Sequence, residues 1–367
     1  MTVSYRQMWT DLGLDLEAHD ALLSVLGKAY GDFFLTQPNR PQATGYLDFV
    51  MSEIHGLRIQ ELVQARAEGR RVVGTYCTFV PEEIVVALDG IMVGLCAGAD
   101  FNMQEVERIL PRNTCALIKS TFGFKTGRVC PYLEASDCVV GENTCDGKKK
   151  AYEILGTMIK NLYIMDLPHT KSDEGRALLR SEYQRFAAEM EKLTQKSLSV
   201  QALKRGIEIV NNKRKAVHRL AQLRRNNPAP ISGLDSLLVN QIYFYEDPVR
   251  FTAKISELCD ELEHRVATQQ GPFAPATPRI LISGCPQAAP NWKIPVIAET
   301  SGVVIVGEES CVGERGTRNL VDNSAATLDG LLDALVDRYF KIDCAVFSPN
   351  TERLGHIQQM VRDYRAD

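Results

Sequence analysis

At 367 residues the chain exceeds the roughly 250–300 residues at which a single hydrophobic core stops growing, which predicts two α/β units with a helical insert. Hydrophobic residues make up 45% and charged residues 24%, a globular balance with no segment biased enough to stay disordered. With 42 basic against 46 acidic residues the net charge is -4, which leaves no field for a polyanion and argues against nucleic acid as a partner.

The first residues, MTVSYRQMWTDLGLDLEAHD, lack the basic start and apolar run of a secretory signal. Apolar stretches such as Ile84–Leu95 are interrupted by Asp89. No membrane segment is expected, and the expected location is cytoplasmic. Residues 1–70 read as a helical N-terminal segment, with apolar residues three and four apart in Ala21–Tyr30 and Tyr46–Arg66 and the break QPNRPQ between them. Residues 71–169 read as a first α/β domain: RVVGTY, a helix opened by Pro81-Glu82-Glu83, IMVGLC, DCVVG, a helix over Lys148–Met158, and LYIMDL. Such alternation predicts a parallel sheet.

Residues 170–270 read as a helical insert, with amphipathic stretches at Gly175–Leu193 and Val200–Arg225, a loop NNPAPISG and a helix over Pro248–Thr268. QQGPFAPATP then reads as a linker into a second α/β domain, 271–367, where RILISG, VVIVGE and CAVFS alternate with helices. A last helix, Glu352–Tyr364, should feed another strand, so the second sheet is expected to be incomplete at Asp367. The expected fold is α/β, with two Rossmann-like parallel-sheet domains and helical N-terminal and bridging segments.

Ten cysteines in a reducing compartment point to metal binding or catalysis before disulfides. In open parallel sheets the loops after the strands converge on one crevice. Cys77 follows RVVGTY, Cys145 follows DCVVGENT and precedes a helix, Cys285 follows RILISG, Cys311 follows VVIVGE, and Cys115 lies in PRNTCALIKS. Cys138 within a strand, Cys259 within a helix and Cys344 at a strand start read as packing residues; Cys96 and Cys130 stay undecided. No C-x-x-C pair and no close pair among the six histidines offers zinc its usual ligands. Thiolates from separate loops suit iron–sulfur clusters. A single cysteine nucleophile would leave the number of loop cysteines unexplained.

The segment GENTCDGKKK is a failed phosphate loop: five residues separate Gly141 from Gly147 where the motif needs four, and Lys149 replaces the hydroxyl. ATP hydrolysis on this chain is not expected. Lys148, Lys149 and Lys150 at a helix start, and GERGTR around Arg315, read equally as anion contacts or as solvated charge. The basic helix Lys213–Arg225 reads as a dock for an acidic partner or, more commonly for such a run, as an exposed face. Glu82 and Glu83 beside Cys77, and Glu142 or Asp146 beside Cys145, are candidate proton relays, although the helix dipole alone accounts for the first two.

YCTFVPEE (76–83), LPRNTCALIKSTFGF (110–124), CPYLEASD (130–137) and VVGENTCDGKKKAYE (139–153) resemble the 2-hydroxyacyl-CoA dehydratase and benzoyl-CoA reductase family, and NPAPISGLD, ILISGCP, GVVIVGEESCVGER, DRYFKID and SPNTERL extend the likeness over nearly the whole chain from Arg71. The resemblance implies two α/β domains with a cluster under loops of both, low-potential reduction, and electrons from a separate ATP-hydrolysing iron–sulfur activator. It maps cluster ligands onto Cys77 and Cys115, with a third expected in a strand end just after YRAD. Within the family the chain is closest to the double-cubane branch, which implies a homodimer, an 8Fe-9S cluster, and Cys145, Cys285 and Cys311 as further ligands. The alternatives are a 2-hydroxyacyl-CoA dehydratase subunit, with a single 4Fe-4S cluster, an acyl-CoA substrate, a different partner subunit and ketyl-radical elimination of water, and a non-catalytic electron carrier.

Overall fold

A computed structural model describes residues 4–95 and 97–367; Cys96, left undecided above, lies outside the described residues. The chain is α/β and divides into two compact units. The first takes in the chain up to Gly27, Ser52–Ile207 and Val321–Phe340, and the second takes in Lys28–Met51, Glu208–Leu320 and Lys341–Asp367.

The first unit is built on four parallel strands, β1 (Val72–Thr75), β2 (Ile91–Gly94), β3 (Cys138–Glu142) and β4 (Leu162–Met165), in the order β2-β1-β3-β4. The central β1 and β3 are buried along their whole length, as expected for strands covered on both faces, and their Val-rich sequences VVGT and CVVGE suit that environment. Val72 is in register with Ile91 and Val73 with Cys138. The chain moves from β1 outward to β2 and then returns to the other side of β1 for β3. The direction of winding therefore reverses between β1 and β3. At that switch point the flanking loops diverge and leave a crevice at the carboxyl ends of the strands.

Helices cover this sheet by close backbone approach as well as by side-chain packing. A Cβ on Gly206 would lie 2.3 Å from the carbonyl oxygen of Glu83, and one on Gly123 would lie 2.0 Å from that of Phe101, so at both places only glycine admits the neighbouring segment. The long helix Asp173–Thr194 opens with Ser172, whose hydroxyl accepts the Gly175 N–H, and with Asp173 and Glu174 in its first turn. Leu179, Tyr183, Phe186 and Met190 line its buried side at helical spacing. Leu328–Phe340 lies against it, joined by Arg176–Asp337 at 2.6 Å and Arg180–Asp333 at 2.7 Å.

The second unit holds β5 (Arg279–Ser283) and β6 (Val304–Glu309), which are parallel with a register shift after Ile280. Helices Gly233–Ile242, Lys293–Thr300 and Thr351–Tyr364 pack on these strands. Trp292 anchors an aromatic cluster, its ring edge-on to Phe34 at 5.0 Å and its indole N–H donating to Gln241 at 2.8 Å. Beneath β6, Arg224 and Glu308 form a buried ion pair at 2.6 Å.

Two expectations are corrected. CAVFS forms turns and bends, not a strand: the carbonyl of Cys344 accepts the Phe347 N–H, and those of Asp343 and Cys344 accept the Asn350 side chain. These groups are thereby taken from any ladder. The stretch Tyr46–Arg66, read as one helix, is two, Gly45–Ser52 and Leu57–Ala67. The break falls at Gly56, where a Cβ would collide with Glu53 and Tyr5, and Glu53 accepts the Leu57 N–H.

Candidate functional site

In the first unit Cys77 lies just beyond β1, and Cys145 stands three residues beyond β3. The two cysteines thus flank the switch point from both sides. Glu142, the last residue of β3, bridges it: its Oε1 accepts the Cys77 N–H at 3.0 Å. The carboxyl is fully buried, and its Oε2 has no hydrogen-bond partner. Burial raises its pKa to about 7, against the field of Lys148 and the N–H groups of Cys77 and Tyr76.

Cys145 and Cys115 each occupy the cap position of a helix, Asp146–Leu155 and Ala116–Thr126. The Cys145 sulfur accepts the Lys148 N–H at 3.4 Å. The two helices pack together close to these caps, since a Cβ on Gly147 would meet Ile118 at 3.0 Å and the Cys145 sulfur at 3.9 Å. The segment read as a failed phosphate loop is this strand end and helix start. Lys149 and Lys150 are exposed, Lys150 pairing with Glu153 at 2.9 Å.

In the second unit Cys285 follows β5 and Cys311 follows β6. Cys115, Cys145 and Cys285 are exposed, and Cys77 and Cys311 are half-buried, whereas Cys138, Cys259 and Cys344 are buried. Burial pushes the Cys130 thiol up to about 11 and the Cys138 and Cys259 thiols up to about 12, which keeps all three protonated. Among the described residues no three His, Cys, Asp or Glu side chains converge tightly enough to hold a single metal ion. The accessible donors are soft thiols on separate loops, four of them at strand ends and Cys115 at a helix start. That donor set fits an iron–sulfur cluster and does not fit a hard cation.

Of the candidate acids, Glu83 is buried and accepts the Tyr339 hydroxyl at 2.8 Å, so it is more than a dipole partner. Arg315, read equally as an anion contact or as solvated charge, is buried and faces a carboxylate: Glu309, at the end of β6, receives its Nε at 2.7 Å and its Nη2 at 2.8 Å. Glu309 also accepts Ser283 at 2.8 Å and Arg353 at 3.0 Å. Sequence reasoning missed this cluster, although two acids ending a strand, followed by an arginine-rich turn, were its signal.

It also missed the dyad of Asp343 and His356. Asp343 is fully buried, bonds His356 Nδ1 and is held by Arg318 at 2.8 Å. His356 opens into a cavity of about 450 Å³ lined also by Asn319, Lys341, Glu352 and Gly355.

No helix among the described residues is long and apolar enough to cross a membrane. Residues 77–367 match the family described as 2-hydroxyglutaryl-CoA dehydratase, D-component. An Escherichia coli (strain K12) protein named as a dehydratase subunit, YjiM, is 39% identical over 83% of this chain and 79% of its own length. The (R)-phenyllactyl-CoA dehydratase beta subunit of Clostridium sporogenes is 22% identical over 82% of this chain and 77% of its own. The matched span begins just after β1 and takes in the other five strands and every strand-end cysteine described above, and the chain belongs to the 2-hydroxyglutaryl-CoA dehydratase D-component family.

Proposed function

We propose that this chain is an iron–sulfur protein for ATP-dependent, low-potential reduction of a small substrate, with electrons supplied by a separate ATP-hydrolysing iron–sulfur activator. The observation that supports the reading is the sorting of the thiols. Those just beyond β1, β3, β5 and β6, with Cys115 at a helix start, are exposed or half-buried, whereas Cys138 inside a strand, Cys259 inside a helix and Cys344 are buried. Cys77, Cys115, Cys145, Cys285 and Cys311 would hold the cluster, in the double-cubane 8Fe-9S form, within a homodimer. When bound, the cluster supplies electrons at low potential to the substrate.

The chain's own groups have distinct tasks in this reading. The Lys148 N–H donates to the Cys145 sulfur, an outer hydrogen bond that tunes a metal-bound thiolate. Glu142 holds the Cys77 turn through its backbone N–H. The lack of a phosphate loop agrees with ATP being hydrolysed on another protein.

The second reading is a dehydratase subunit with one 4Fe-4S cluster acting on a 2-hydroxyacyl-CoA. It is favoured by the names of both relatives. Anaerobic purification with iron and sulfide analysis separates the two: about eight irons per chain is the expected result, about four supports the dehydratase reading, and none overturns both. Activator- and ATP-dependent turnover of a small substrate then distinguishes an enzyme from an electron carrier.

A further inference from the structure

The strand ends of the second unit carry a device that neither the family nor the relatives' names assign. We propose that Arg315 is a positioning residue that ties the Cys285 and Cys311 loops to one buried carboxylate and directs a hydrogen bond and a positive charge at the sulfur ligands. This rests on the cluster reading above and names the residue that tunes that cluster from the second unit.

Arg315 spends each of its nitrogens inside the unit. Its side chain is 4% exposed and that of Glu309 1%. The fork from Nε and Nη2 to the two Glu309 oxygens, at 2.7 and 2.8 Å, fixes the guanidinium plane. With its plane fixed, Nη2 also reaches the Glu309 carbonyl at 3.1 Å and the Gly284 carbonyl at 3.4 Å, next to Cys285. Nη1 points to the Cys311 sulfur at 3.9 Å, the longer reach of a sulfur acceptor. One side chain therefore holds the turn before Cys285 and contacts Cys311 directly.

The charge count gives a second, independent argument. Arg353 also donates to Glu309, at 3.0 Å, and to the Ser283 hydroxyl at 3.4 Å. Among the described residues two guanidiniums share one carboxylate, which leaves the group with a net positive charge beside two thiol-bearing loops; Arg315 is buried and Arg353 is 23% exposed. Such a charge at low dielectric is stabilised when an anion meets it. Thiolates bound to a cluster would be that anion. Net charge and hydrogen bonds at the sulfurs set a cluster's reduction potential, so Arg315 should make the cluster easier to reduce and keep Cys311 in its ligating position.

The test uses the full chain purified anaerobically as wild type, Arg315→Gln, Arg315→Lys and, as a control, the exposed Arg362→Gln. Iron per chain, the EPR spectrum and the midpoint potential from a redox titration are read for each, with tryptophan fluorescence reporting the fold. The expected result is a negative shift of the midpoint potential and an altered EPR spectrum in Arg315→Gln. Arg315→Lys should fall between it and the wild type, because it restores the charge without the fork, and Arg362→Gln should match the wild type. Loss of iron from a folded Arg315→Gln with retention in Arg315→Lys also supports the role. If Arg315→Gln does not fold, Arg315→Lys decides: a wild-type potential and spectrum there overturn the inference, as they do in a folded Arg315→Gln. A wild-type chain without iron overturns the cluster reading first, and the inference with it, which separates the two failures.

Discussion

Glu308→Leu tests how much of the second unit's stability rests on its buried ion pair. Glu308 and Arg224 have side chains only 3% exposed, with two guanidinium–carboxylate contacts at 2.6 and 2.8 Å. Arg224 also donates to the Ile305 carbonyl at 2.8 Å, and Asn240 donates to Glu308 at 3.4 Å. Removing the carboxylate leaves a guanidinium buried without its counter-charge, which should cost about 3–5 kcal/mol. The double variant Glu308→Leu with Arg224→Met removes both charges together. It leaves the Asn240 amide and the Ile305 carbonyl each short of a partner, at about 1 kcal/mol apiece, so it should lose only about 2 kcal/mol. The double variant is thus expected to be more stable than the single one. Of the two tryptophans, Trp9 belongs to the first unit and Trp292 to the second, so urea unfolding followed by fluorescence in a Trp9→Phe background reports the second unit alone. A single variant within about 1 kcal/mol of its parent, or a double variant no more stable than the single, would refute the argument.

Acid should weaken the first unit through His55. Burial lowers its pKa to about 3, and the folded state binds fewer protons than the unfolded chain, whose histidine titrates near 6.5. The associated stability is therefore full above about pH 6.5 and is lost as the pH falls towards 3. Trp9 stacks edge-on to His19 at 4.5 Å, and His19 bonds His55 at 2.9 Å, so Trp9 fluorescence in a Trp292→Phe background follows the loss; an equally steep decline in His55→Gln would count against this assignment. Gly123→Ala should destabilise the same unit by about 1–3 kcal/mol, because the new Cβ meets the Phe101 carbonyl. Gly27→Ala, with nothing within 4 Å, should instead stabilise its helix by about 0.4–1 kcal/mol, and equal urea midpoints for the two would contradict both. Cys285→Ser should lower iron per chain, whereas Cys259→Ser, whose parent thiol is buried and lies 3.9 Å from the Ala216 carbonyl, should keep its iron and lose stability. Iron loss in both would show that the sorting by exposure is irrelevant.

Much of the architecture could be read from the chain because its signals are local. RVVGTY, DCVVG and VVIVGE announce buried strands by composition, and Ser172 followed by two acids announces a helix start. The cysteines stood out for the same reason, since Cys77, Cys145, Cys285 and Cys311 each follow a strand by a few residues and Cys115 directly precedes a helix. CAVFS misled because its apolar run resembles a strand, while the side chain that takes its carbonyls, Asn350, comes later in the chain. The helix Gly233–Ile242 was not anticipated: it is buried on all sides, so it has no polar face to produce a helical period.

The sequence alone determined the family, the alternation of strands and helices, and the cysteines next to strand ends. Tertiary structure decided the strand order β2-β1-β3-β4, and with it that Cys77 and Cys145 flank a switch point. It also decided which charges meet: Arg353 reaches Glu309 from 44 residues away and Arg224 reaches Glu308 from 84. Periodicity is a property of neighbours along the chain, whereas the partner of a buried charge is chosen by proximity in space after low-dielectric burial has made an unpaired one too costly to keep.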